Sequence, residues 1–181
     1  MRAASTAAVV ALALSFAIPP AIADDNVGRA AARRVAASAG YRAVIRDLLG
    51  WHHTRHNGCA AFVASALGQV GHPVPDRAVD GPWSNPARVT FSLDRHLADQ
   101  GWTRIDDPAA LRAGDVVFTT GAPDHVMLFH GWADARAQVA RVSDNQRHRY
   151  RRPLQPPPGS ALAGFGFARR APAAAPAPAD H

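Results

Sequence analysis

Cys59 is the only cysteine of the chain. It cannot close an intramolecular disulfide, so it is an inert buried residue, an intermolecular cross-link or a reactive thiol. A thiol attacks as its thiolate, a form favoured by a helix N-terminus and a nearby imidazolium. Cys59, Phe62, Val63, Ala66, Leu67 and Val70 fall at helical spacing, so a helix is expected to open at Cys59 and to end at Gly71 and Pro73. His125 opens an apolar run and is the candidate base toward the thiol and acid toward a leaving group. A third group must accept from the other ring nitrogen of that imidazole. The segment Ser143-Asp144-Asn145-Gln146 supplies it, with Asn145 as the first candidate and Asp144 as the alternative. On a regular strand those two side chains face opposite sides. An oxyanion would be held by the Cys59 backbone N–H with the Asn57 side chain.

Plainer readings compete with each assignment. A cysteine on an apolar stripe serves equally as core packing, and Asp144-Asn145-Gln146 is ordinary turn chemistry. A different chemistry is also available nearby. His52, His56 and Cys59 are zinc-competent ligands within a short span, which makes a zinc-binding module an alternative. Asn57 and Gly58 argue against a continuous helix presenting all three.

The elements that must position these residues can be read from periodicity. Val27–Leu49 reads as one or two helices, with Val35, Val44, Ile45, Leu48 and Leu49 on buried faces and Gly40 as a break or cap. The helix from Cys59 is apolar on one side and small on the other, so both sides are expected to be buried. Thr90–Gln100 reads as a further helix, with Phe91, Leu93 and Leu97 apolar. Strands are expected at 101–105, 116–120, 125–130 and 138–143, with a last one at Phe165–Phe167. The runs 116–120 and 125–130 form an antiparallel hairpin. Helices followed by an antiparallel sheet define an α+β class.

Residues 1–23 read as a signal peptide: Arg2, an apolar run from Ala7 to Ile18, and a small-x-small site at Ala21-Ile22-Ala23. Cleavage near Ala23 would leave one domain over 24–170 and a disordered Ala/Pro tail over 171–181, secreted or periplasmic, with no stable membrane insertion. All 20 basic residues are arginine and all 14 acidic ones aspartate. The absence of glutamate excludes any mechanism that needs a catalytic Glu. The positive charge favours anionic surfaces without naming one. No nucleic-acid motif accompanies it, and a monomer without cofactor or metal is expected.

Three segments in their order carry a family resemblance: Gly58-Cys59-Ala60-Ala61-Phe62-Val63, Leu111-Arg112-Ala113-Gly114-Asp115-Val116-Val117-Phe118 and Asp124-His125-Val126-Met127-Leu128-Phe129. Together they resemble the NlpC-type and CHAP-type cell-wall hydrolases, which are papain-like cysteine peptidases and amidases. The resemblance spans roughly Asn57 to Asn145. It implies a papain-like fold with N-terminal helices packed on a small antiparallel sheet. It also implies Cys59 as nucleophile, His125 as base, Asn145 or Asp144 as third member, and peptidoglycan or its stem peptides as partner. The chain departs from the family in having Gly-Cys-Ala-Ala where NlpC-type members commonly carry Asp-Cys-Ser-Gly. It also lacks the later Glu common in CHAP-type members. The resemblance is equally compatible with an inactive wall-binding domain of the same fold.

Overall fold

The computed structural model describes residues 26–76, 84–121 and 125–173. The expected signal peptide, part of the loop after Pro73, the tip of the first hairpin and most of the Ala/Pro tail lie outside the described residues. The chain folds as α+β. Four helices, α1 (Val27–Ala36), α2 (Ser38–His52), α3 (Cys59–Gly68) and α4 (Thr90–Asp99), accompany six strands. These are β1 (Thr103–Ile105), β2 (Val116–Thr119), β3 (Val126–Asp134), β4 (Val139–Ser143), β5 (Tyr150–Pro153) and β6 (Phe165–Arg170). The sheet has the order β1-β6-β2-β3-β4-β5, and every neighbouring pair is antiparallel.

Both faces of the central strands are buried, which is why β2 runs apolar from Val116 to Phe118 instead of alternating. Val116, Phe118, Val126 and Leu128 meet the helices on one face, where Val35, Val44, Leu48, Phe62, Leu67, Leu93 and Leu97 complete the core. Val117, Met127 and Phe129 point to the other face, against Leu111, Val142 and Leu154. Helix α3 is the centre of this arrangement. Every residue from Cys59 to Leu67 is buried, and the helix lies against α1, α2 and β3. Its alanines allow those neighbours to approach closely.

The helices differ from expectation at the positions that depend on tertiary contact. The break between α1 and α2 falls at Ala37, and Gly40 lies inside α2. A Cβ on Gly40 would come within 1.8 Å of the Arg34 carbonyl oxygen. The glycine is therefore there for close approach of the two helices. Leu49, expected on a buried face, is 40% exposed, and the apolar Phe91 of α4 is also exposed. The β3 strand runs beyond His130 to Asp134 through a register shift beside Gly131, which has φ 131°. Strand β5 has the composition of an edge, rich in Arg and ended by Pro, and it pairs with β4 alone. At the C-terminal end, β6 continues to Arg170. Ala171 is buried and its carbonyl accepts from Asn26 Nδ2 at 3.2 Å, so the packed chain extends past the expected start of the tail.

The Leu111–Asp115 turn fixes the sheet to the helices. Gly114 has φ +99°, and a Cβ there would come within 2.4 Å of the Arg29 amide nitrogen. Its own N–H donates to the Phe129 carbonyl at 2.9 Å. The next residue, Asp115, is buried, accepts from the Arg112 amide and takes a two-pronged bond from Arg170 at 2.9 and 2.7 Å.

Two glycines of α2 give opposite expectations. Gly40→Ala should destabilise by about 1–3 kcal/mol through overpacking. Gly50→Ala, with nothing within 4 Å of its new Cβ, should stabilise by about 0.5–1 kcal/mol. Urea denaturation of the two variants checks this, and equal effects would contradict the close-approach reading.

Candidate active site

Cys59 is the first residue of α3, preceded by Gly58, and is buried. The loop that delivers it turns sharply. His53 (φ 64°) ends α2, and Asn57 (φ 51°) redirects the chain into Gly58. His125 stands immediately before β3, where its carbonyl accepts from the Thr119 amide at 3.1 Å. The packing of α3 on β3 brings these two ends together, and the Cys59 side chain lies near enough to the His125 imidazole to favour its charged form.

The other side of the imidazole meets Asp144. His125 Nε2 lies 2.9 Å from Asp144 Oδ2, and Tyr150 Oη donates to the same oxygen at 2.6 Å. Asp144 Oδ1 accepts from the amides of Gln146 at 2.8 Å and Arg147 at 2.9 Å. The carboxylate is almost wholly buried and uses both oxygens twice. Burial opposes its charge. The bonds from His125, Tyr150 and the two amides outweigh that and hold the carboxyl below the usual range. Burial likewise opposes a charged His125, but Asp144 and the Cys59 sulfur together raise it to about 9. A cysteine, a protonated imidazole and a carboxylate thus stand together.

Asn145, the first candidate for the third position, is turned away from His125. Its Nδ2 donates to the Arg55 carbonyl at 2.5 Å, while Arg55 Nε donates to the Asn145 carbonyl at 2.5 Å. The reason is local. Strand β4 ends at Ser143, and Asp144 and Asn145 project to opposite sides of the departing chain. Asp144 takes the histidine side, and Asn145 ties the loop before Cys59 to the segment after β4.

Two residues that no motif marks complete the support. Arg55 Nη2 also donates to the Gln146 carbonyl at 2.7 Å and to Tyr41 Oη at 3.0 Å. Tyr41 Oη donates onward to the Asp144 carbonyl at 3.1 Å, with its ring packed between Phe62 and His148. Tyr150 was missed together with its edge strand β5. The one usable signal was its place six residues after Asp144, on the return of a tight turn.

The other sequence candidates are placed apart. Asn57 is exposed. His52 sits against Gly58 at the end of α2, with both ring nitrogens buried and without a hydrogen-bond partner. His56 is exposed. Among the described residues no group of three or more His, Cys, Asp or Glu could hold a metal ion. His52, His56 and Cys59 therefore do not form the zinc set considered above, because the loop bends away and the thiol is turned to His125. A cleft of about 490 Å³ borders His125 and Asp144, with Arg147, Tyr150, Arg152 and Leu162 in its walls.

Comparison with protein-family models, with curated proteins and with solved structures found no match for this chain. The chemical reading therefore stands on the geometry and on the motif resemblance.

The raised His125 carries a pH signature. A group shifted from 6.5 to about 9 contributes stability that is complete below pH 6.5 and is lost as the pH climbs through 9. In Asp144→Asn the His125 titration should move down by about 1–3 units, and the loss of stability should shift to lower pH with it. Imidazole NMR titration of both proteins checks this. An unmoved midpoint would mean that Asp144 does not sustain the charge.

Proposed function

We propose that this protein is a secreted or periplasmic cysteine hydrolase of papain-like type that cleaves an amide bond in peptidoglycan, in the stem peptide or at its attachment. One observation carries the reading: Cys59 at the start of a buried helix, His125 near it, and Asp144 hydrogen-bonded to that same imidazole. Each of the three had a plainer role available, and the plainer roles give no reason for all three to meet. The wall substrate comes from the motif resemblance alone, since the same chemistry serves many amides.

In the proposed reaction Cys59 attacks the carbonyl as thiolate, and the tetrahedral oxyanion is held by the Cys59 backbone N–H at the helix start, without the exposed Asn57 side chain. His125, held protonated, gives its proton to the leaving amine and then takes one from the water that releases the acyl group. Asp144 fixes the ring and its charge. Tyr150 and the two turn amides keep that carboxylate ionised and in place. Arg55, Asn145 and Tyr41 act at one remove, by holding the two loops together.

An inactive wall-binding domain is the competing proposal. Incubating purified peptidoglycan with residues 24–181 and identifying the products by mass separates the two. New peptide termini should appear with the wild type and disappear with Cys59→Ala and His125→Ala. Asp144→Asn should lower the rate by about 10²–10⁴-fold, whereas Asn145→Ala should retain cleavage and lose thermal stability. Undiminished product from Cys59→Ala would end the proposal.

The alkaline limb gives an independent check. The rate should fall as the pH rises through about 9, where His125 gives up the proton it must donate. A rate still climbing well above pH 9 would contradict His125 as the acid.

A further inference from the structure

The cleft beside the His125–Asp144 pair has an unbalanced charge. Asp144 is the one acidic residue among its described lining residues, and both of its oxygens are already taken by four donors. Facing it are the guanidinium groups of Arg147 and Arg152. Neither is paired with a carboxylate among the described residues.

The two arginines are held differently. Arg152 is buried, donates from Nη2 to the Ala163 carbonyl at 3.0 Å and lies close enough to Tyr150 to act on its phenol electrostatically. Its fork is thereby fixed in the wall. Arg147 is exposed, with its guanidinium 6.0 Å from the Tyr150 ring centre. Its backbone amide serves Asp144, while its side chain stays available to a ligand. The opposite wall carries Leu162, 44% exposed.

A half-enclosed space with two unpaired arginines concentrates anions, and the planar fork of arginine matches a carboxylate with paired hydrogen bonds. We infer that this cleft binds a free carboxylate of the substrate peptide close to the bond that is cut, with Leu162 against an adjoining aliphatic part. The source of the carboxylate rests on the hydrolase proposal; the anion preference rests on the cleft alone. Cys59 does not line the cleft, but His125 borders it and also interacts electrostatically with the thiol. His125 is the residue that the cleft and the thiol have in common.

The test uses the Cys59→Ala protein, so that binding is read without turnover. Calorimetry compares two stem-type peptides of identical sequence, one with free side-chain and terminal carboxylates and one with each converted to carboxamide. The acidic peptide should bind at least about tenfold more tightly, a difference of about 1.4 kcal/mol. Adding Arg147→Gln should reduce that ratio to about twofold or less, with the melting temperature confirming the fold. Equal affinities, no binding of either peptide, or a ratio that survives Arg147→Gln would each overturn the inference. The wild-type enzyme separates it from the hydrolase proposal. Cleavage of both peptides with equal kcat/KM leaves that proposal standing and removes the carboxylate site. Discrimination in binding without cleavage of either peptide does the reverse.

Discussion

A carboxylate that leaves water must be given back what water supplied, and Asp144 shows what this demands of a fold. Four donors converge on it: an imidazole, a phenol and two backbone amides. The amides exist in that position because the chain turns tightly after β4, and the phenol because it returns at once as β5. The imidazole is there because the β2–β3 hairpin ends beside them. Removing any one donor leaves a buried charge short of partners, which is far more costly than the loss of one ordinary hydrogen bond. The turn, the edge strand and the position of His125 are thus constrained by one side chain.

Around this centre the fold divides its work. The sheet, buried on both faces, gives β3 a fixed height and direction, and the Gly114–Asp115 turn locks its neighbour β2 to the start of α1 and to β6. Helix α3 delivers the thiol because it has no exposed face on which to rotate. What remains adjustable is the loop between α2 and α3, and Arg55 pins it to the Asp144 segment through backbone carbonyls. Pinning through carbonyls leaves the Asp144 side chain free for the histidine.

Much of this was legible in the sequence where local pattern and tertiary outcome agree. The helical stripe from Cys59, the apolar run Val116–Phe118 that opens β2 and its pairing with β3 follow from periodicity and turn chemistry. Cys59 and His125 could be named because their positions at the starts of elements are written in those patterns. Asn145 and Asp144 could not be ranked, since alternation assigns them to opposite sides without saying which side holds the histidine. The two readings of Asp144, turn former and histidine partner, turn out not to compete: Oδ1 makes the turn and Oδ2 meets the imidazole. Strand β5, Tyr41 and Arg55 were invisible. An edge strand of arginines has no apolar period, and a tyrosine or arginine that acts across a hundred residues leaves no local trace. Gly40 was misread for the same reason, because its partner Arg34 is a matter of packing.

The pairing of Arg55 with Asn145 spans 90 positions of the chain, and Cys59 and His125 are also far apart along it. Contacts of this kind form only when distant segments have docked, after most of the loop-closure entropy has been overcome. An incompletely folded chain therefore carries a solitary thiol with neither histidine nor carboxylate beside it. The reactivity proposed for Cys59 would then be latent until the tertiary structure is complete, and the fold would act as its own safety catch during synthesis.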